Sequence, residues 1–397
     1  MTPLVLSSYT ATSCLGTGLA ATLAGLGAAR SGLAPCRFET VTLDTYVGEV
    51  PGVDATPLPA GLGDFACRNN RLAWLGLSQD GFASAVSAAV GRFGPERIGL
   101  FLGTSTSGIL ESEQAYRARD PVSGALPESF RYAGAHNTFS LAAFARVALA
   151  LAGPAVVMSA ACASSGKVFA SAQRALATGL IDAAVVGGVD SLCLTTLYGF
   201  HSLQLVSSRP CRPFDTQRDG ISIGEAAAFA LIERAPEHLD AEAVLLLGTG
   251  ESSDAYHMSA PHPDGRGARA AMSRELASAE LAAEDIEYIN FHGTGTPSND
   301  AAEAQAVAAV LGKGVPGSST KGATGHTLGA AGALEAVICA LALREGLLPA
   351  GVNTTQPDAA LPVNYLLENR SEPLHYVMSN SFGFGGSNCS LIFGRAG

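Results

Sequence analysis

The stretch Val156-Val157-Met158-Ser159-Ala160-Ala161-Cys162-Ala163-Ser164-Ser165-Gly166 turns from an apolar, strand-like run into a helical one within a few residues. The Val-rich segment before it has strand character, and the segment from Lys167 to Leu180 has helical spacing up to Gly179. A cysteine at such a junction sits by a helix N-terminus, where unpaired N–H groups and the macrodipole favour an anion. The thiolate is the reactive form of cysteine, and this setting predicts a lowered thiol pKa. Ala160, Ala161 and Ala163 leave room for a strained turn and for a substrate to approach the sulfur. The other reading of this segment is a buried, inert cysteine.

Two histidines lie in similar surroundings further on. One is in Phe291-His292-Gly293-Thr294-Gly295-Thr296-Pro297, the other in Lys321-Gly322-Ala323-Thr324-Gly325-His326-Thr327-Leu328-Gly329. Each follows a short strand-like run and precedes an alanine-rich helical stretch, the position where α/β proteins commonly place catalytic groups. One cysteine with one histidine suggests a Cys-His hydrolase, with the histidine as base. Two histidines suggest another task, such as stabilising an oxyanion or enolate.

The chain has 397 residues, of which 47% are hydrophobic and 46 are glycines, and its formal charge is −11. That length exceeds a usual single core and predicts two subdomains or one large layered unit. The acidic balance argues against nucleic acid as a partner. The eight cysteines are scattered with no C-x-x-C pair, so neither a disulfide framework nor a zinc site is predicted, and a reducing cytoplasm fits. Residues 11–29 are small and apolar, but no Lys or Arg precedes them and glycines interrupt them, so they read as part of the fold rather than as a signal peptide. No stretch reads as a membrane span. Apolar strand-like runs (Ile98–Leu102, Ala155–Met158, Ala183–Val186, Ala226–Ile232) alternate with helical runs (Arg71–Val90, Ser140–Ala152, Gly166–Leu180, Ala330–Leu343), which predicts an α/β protein with sheets covered on both faces.

Taken together, four blocks resemble the β-ketoacyl-[acyl-carrier-protein] synthase family. They are Ser159-Ala160-Ala161-Cys162-Ala163-Ser164-Ser165, His292-Gly293-Thr294-Gly295-Thr296, Lys321 through His326 into Gly329-Ala330-Ala331-Gly332, and Asn380-Ser381-Phe382-Gly383-Phe384-Gly385-Gly386-Ser387-Asn388. Arg212-Pro213-Phe214-Asp215, Gly224-Glu225-Ala226 and Asp254-Ala255-Tyr256-His257-Met258 also fit, so the resemblance spans nearly the whole chain. It implies the thiolase fold, a five-layer αβαβα arrangement of two similar halves. We place the halves at 1–238, with the nucleophile, and 239–397, with both histidines. The join falls near Glu237–Ala241, after Pro236.

The resemblance also implies a ping-pong decarboxylative Claisen condensation without a metal or other cofactor, its substrates carried on the phosphopantetheine arm of an acyl carrier protein. Cys162 would take the acyl group, while His292 and His326 would serve malonyl decarboxylation. The N–H groups of Cys162 and Phe384 would form the oxyanion hole, with the Phe384 ring as a gate between glycines. Lys321 and Glu335 would be a buried ion pair positioning the histidines, and Thr294 and Thr296 would bind the phosphopantetheine arm. Plainer roles are open for several of these residues: a solvated Lys321, and turn caps at Thr294 and Thr296.

Departures from the family pattern concern acyl preference. Thr106, in Gly103-Thr104-Ser105-Thr106-Ser107-Gly108, stands where an apolar residue often ends the acyl pocket, and is expected to tune it. Lys167 replaces a frequent His, either favouring the thiolate or pointing away, and Ser387 replaces a commoner His. Thr104–Gly108 and Gly250-Glu251-Ser252-Ser253-Asp254 look especially like the condensing enzymes of bacterial aryl polyene pathways, which can work beside a chain-length-factor-like subunit. A homodimer or such a heterodimer is therefore expected. Because carrier proteins are acidic too, docking needs local positive charge, for which Arg68, Arg71 and Arg209 are candidates. The alternatives are a housekeeping fatty-acid ketosynthase and, in a different class, a Cys-His acyl-thioester hydrolase.

Overall fold

The computed structural model describes all 397 residues, Met1–Gly397. Ten strands carry the architecture: β1 (Leu4–Ser13), β2 (Ile98–Gly103), β3 (Ala155–Met158), β4 (Ala183–Asp190), β5 (Ala226–Arg234), β6 (Val244–Ser253), β7 (Tyr288–Asn290), β8 (Pro316–Ser318), β9 (Tyr376–Gly383) and β10 (Ser387–Arg395). They hydrogen-bond in the order β3-β2-β4-β5-β1-β6-β10-β9-β7-β8. Read outward from the centre, β1-β5-β4-β2-β3 and β6-β10-β9-β7-β8 have the same topology, with the same alternation of parallel and antiparallel pairs. The two half-sheets join where Leu4 and Val5 pair with Leu246 and Leu245. Glu237–Ala241 lies in the connection between β5 and β6.

Helices α1 (Arg68–Leu77), α2 (Phe82–Phe93) and α3 (Ser140–Ala148) pack on the first half-sheet; α5 (Arg266–Ala279) and α6 (Pro297–Val310) pack on the second. Between the half-sheets lie α4 (Ser164–Ala177) and α7 (Ala331–Glu345), giving the five layers. Every residue of α7 from Ala331 to Leu343 is buried, as an all-round apolar helix requires. The eight residues of β4 are buried as well, because helices cover both faces of the sheet. The central helices cross at glycines: a Cβ on Gly332 would lie 2.5 Å from the Gly166 nitrogen and 2.8 Å from its Cα. That backbone-to-backbone approach is closed to any larger residue.

The helical run expected over Arg71–Val90 is two helices. The chain breaks at Asp80 (φ 53°) and Gly81 (φ 70°), both left-handed, and the Asp80 carboxylate accepts the Thr10 hydroxyl at 2.7 Å and the Leu19 N–H at 3.0 Å. The polar run Ser78-Gln79-Asp80-Gly81, with its turn-favouring Asp-Gly pair, marks this break in the sequence.

Candidate active site

The nucleophile elbow forms between β3 and α4. Ala161 is left-handed (φ 48°), an unfavourable state for a residue with a Cβ, and Ser164 holds it in place. The Ser164 hydroxyl accepts the Ala160 N–H at 2.8 Å and donates to the Ala161 carbonyl at 2.5 Å. Cys162 is buried but faces a small cavity that His292, His326, Thr294, Thr296 and Phe384 also line. The expected fall in thiol pKa is not found. Burial pushes the Cys162 thiol up to about 11, against the Lys321 charge and the backbone N–H of Phe384, which favour the thiolate. The sulfur precedes the first helical residue, Ser164, and its desolvation is the largest influence on the thiol.

Both histidines converge on this sulfur. His326 Nε2 lies 3.1 Å from Cys162 Sγ, and the rings of His292 and His326 are 5.3 Å apart at 83°. Burial and the nearby Lys321 charge hold both imidazoles well below their usual pKa, so both are neutral. Their tautomers follow from their Nδ1 partners. The Leu328 N–H donates to His326 Nδ1 at 3.3 Å, and the Lys321 ammonium, which can only donate, lies 3.5 Å from His292 Nδ1. Each ring therefore carries its proton on Nε2 and presents a donor to the cavity. Lys321 is itself fully buried and ion-paired with Glu335, whose carboxyl burial pushes up to about 7 despite the ammonium.

Cys162, His292 and His326 place one ligand atom each within 4.8 Å of one another, a set that resembles a zinc site. Metal-bound histidines donate their second N–H to a carboxylate or carbonyl. Here both Nδ1 atoms accept and both Nε2 atoms are protonated, so these residues do not fit a metal.

The turn bearing His292 is held by two residues the sequence reading did not single out. Glu303 accepts the His292 and Gly293 N–H groups at 2.8 and 2.7 Å, and Asp300 accepts the Phe214 and Gly295 N–H groups at 2.8 and 3.2 Å. They stand three residues apart on α6, hence on one face, right after the Thr296-Pro297 helix start. That spacing was the available signal. Thr294 and Thr296 lie on the cavity wall with their hydroxyls 2.9 Å apart, and Thr296 also caps α6. Phe384 closes the opposite side, its ring 5.5 Å from that of Phe200. Gly385 (φ 78°) and Gly386 (φ 74°) supply backbone states that L side chains avoid. This loop is tied down by Gly385 N–H to the Met258 carbonyl and by Asp254 N–H to the Gly386 carbonyl, both at 2.8 Å.

Several assignments need correction. Thr106 is not on the cavity wall: its hydroxyl donates to Asp190 at 2.9 Å and the side chain is buried. Arg68 is no docking residue, being only 3% exposed and ion-paired with Glu225 (2.6 Å), Asp54 and Glu49 beneath the Phe38 ring. Arg71 is half-buried and donates to the Thr56 carbonyl at 2.6 Å. Only Arg209 stays open, half exposed with a loose 3.8 Å contact to Asp219. Lys167 points away from the sulfur and pairs with Glu251 at 3.0 Å.

The chain is similar to several known proteins. The chain is 38% identical over 262 residues to a 3-oxoacyl-[acyl-carrier-protein] synthase 2 of Vibrio cholerae, covering 62% of this chain and 63% of that relative's length. It is 34% identical over 314 residues to the protein of the same name from Synechocystis, covering 75% of each. The structure of the ketosynthase ApeO in complex with its chain length factor ApeC, from Xenorhabdus doucetiae, superposes with a TM-score of 0.89 at 38% identity, covering 100% of this chain and 98% of that one. The description "Beta-ketoacyl synthase, N-terminal domain" matches residues 73–238, and "Beta-ketoacyl synthase, C-terminal domain" matches 243–355. The first span holds the elbow and the second both histidine turns, so the chain belongs to the beta-ketoacyl synthase family.

Proposed function

We propose that the protein is a β-ketoacyl-[acyl-carrier-protein] synthase acting by decarboxylative Claisen condensation. One observation carries this reading: a buried cysteine sulfur faces two histidines whose Nδ1 atoms lie against donors, which leaves each Nε2–H for the cavity. A Cys-His hydrolase needs a histidine with a free lone pair toward the sulfur, and neither ring offers one.

The residues divide the reaction as follows. Cys162 attacks the acyl thioester; the new C–S bond replaces the carrier's, and the carrier thiol leaves with the proton. The backbone N–H groups of Cys162 and Phe384 bind the tetrahedral oxyanion. In the second half-reaction the malonyl C–C bond breaks, CO₂ departs, and the electron pair moves onto the thioester oxygen, where His292 and His326 donate. The carbanion then attacks the acyl carbonyl on Cys162, and the sulfur leaves as a thiolate that takes a proton from solvent to restore the thiol. Lys321 and Glu335 hold the His292 tautomer, and Thr294 and Thr296 hold the carrier's arm. No step calls for a cofactor.

Removing either histidine donor should leave acyl loading intact and lower malonyl decarboxylation by about 10²–10³-fold, as for other oxyanion donors. Intact-mass analysis of His292→Ala and His326→Ala, beside a CO₂-release assay, checks this. Loss of loading with decarboxylation preserved would reverse the roles.

The finer reading is a condensing enzyme of an aryl polyene pathway, working in the cytoplasm beside a chain-length-factor-like subunit or a second copy. It rests on the Thr104–Gly108 and Gly250–Asp254 motifs and on the likeness to a ketosynthase seen with its chain length factor. Strand β3 ends the sheet with Val156 exposed, an edge open to a partner. Acyl groups found on Cys162 by mass after incubation with aryl-polyenoyl and saturated thioesters decide between this and fatty-acid synthesis.

For carrier docking, Arg209→Glu should raise the apparent KM for carrier-bound substrate, spare a small pantetheine thioester and leave the melting temperature unchanged. Arg68→Glu should instead fail to fold, because it sets a fourth carboxylate against Glu225, Asp54 and Glu49. A soluble Arg68→Glu protein with only a KM change would overturn the burial argument.

A further inference from the structure

Asp190, the last residue of β4, is fully buried and forms no ion pair, yet it is densely hydrogen-bonded. Its Oδ1 accepts the Thr104 hydroxyl (2.6 Å), the Ser105 N–H (2.8 Å), the Thr106 N–H (3.0 Å) and the Thr106 hydroxyl (2.9 Å). Its Oδ2 accepts the Gly329 N–H (2.6 Å) and the Ser105 hydroxyl. Only an acceptor-only group can meet six donors at once; an amide would turn an N–H against one of them. The fit is tight, since a Cβ on Gly329 would lie 2.7 Å from Oδ2.

Gly329 follows Leu328, which is left-handed (φ 51°), a strained state for a bulky side chain that persists only where its surroundings enforce it. In that conformation the Leu328 N–H turns to His326 Nδ1 and the next N–H turns to Asp190. The His326 backbone is fixed separately, its N–H donating to the Ser222 carbonyl at 2.7 Å. The tautomer of His326 thus depends on one bent peptide.

We propose that Asp190 is a positioning residue for His326: by holding the Gly329 N–H it keeps Leu328 left-handed and the His326 proton on Nε2. Thr104, Ser105 and Thr106 are the donors that hold the carboxylate in place without a cation. In this view the Thr106 hydroxyl serves the catalytic turn rather than the acyl chain. The catalytic consequence rests on the synthase reading above; the tautomer itself does not.

The test uses Asp190→Asn in the full chain with two independent readouts. In ¹⁵N-imidazole NMR, with His326 assigned by its loss in His326→Asn, wild type should show a bare Nδ1 and a protonated Nε2. Asp190→Asn should move the proton partly or wholly to Nδ1. Kinetically, acyl loading of Cys162 should change little, while malonyl decarboxylation falls about tenfold or more, the scale for losing a hydrogen bond to a charged group. Thr106→Val keeps the volume and removes one donor, so it should show the same split more weakly, and it carries the test if Asp190→Asn does not fold. An unchanged tautomer, or equal loss of loading and decarboxylation in a folded variant, would overturn the proposal. A wild type that never decarboxylates malonyl thioesters would sink the synthase reading and leave the NMR result standing.

Discussion

Cys162→Ala is expected to gain no mass from any acyl-carrier thioester and to lose condensation by about 10⁴-fold or more, the scale for deleting a covalent nucleophile. The fold should survive, because the change only removes a sulfur that faces the cavity. Malonyl decarboxylation should persist, since both Nε2–H donors are set by Leu328 and Lys321 rather than by the thiol. That contrast is the informative part. Condensation retained by the variant would remove Cys162 from the chemistry, and decarboxylation lost with it would make the sulfur part of the malonyl site.

The second large effect is expected at Lys321. Lys321→Ala strands Glu335 in the core, and breaking one side of a buried pair costs about 3–5 kcal/mol. Chemical denaturation should show that loss directly. Replacing both partners by apolar groups, as in Lys321→Met with Glu335→Leu, should recover most of the stability, because no buried charge is left over. Decarboxylation should not recover, since His292 Nδ1 would still lack its donor. A double variant that regained both would show that the pair acts on stability alone.

The parts of this site legible in the sequence are those whose structure is local. Cys162, His292 and His326 each sit in a short turn whose small residues and glycines announce an unusual backbone, and the fold brings those turns together. Arg68 misleads for the opposite reason. Its partner Glu225 is 157 positions away, so nothing near it in sequence distinguishes a buried ion pair from a solvated arginine. Asp190 is hidden likewise, ending an apolar strand with donors 84 to 139 positions distant. The Cys162 thiol shows the same division. The helix end that would lower its pKa is read from neighbours, whereas the burial that raises it comes from the whole fold.

The crossing of α4 and α7 at Gly166 and Gly332 bears on how this enzyme can vary. Each helix begins just after a turn that carries a catalytic group, Cys162 on one and His326 on the other. The width of the reaction chamber is therefore gauged by two bare backbones in contact, and a methyl added at Gly332 would press directly on the Gly166 backbone. Side chains around the cavity can change without touching this crossing, so the spacing of nucleophile and histidine is set apart from the walls that meet the substrate.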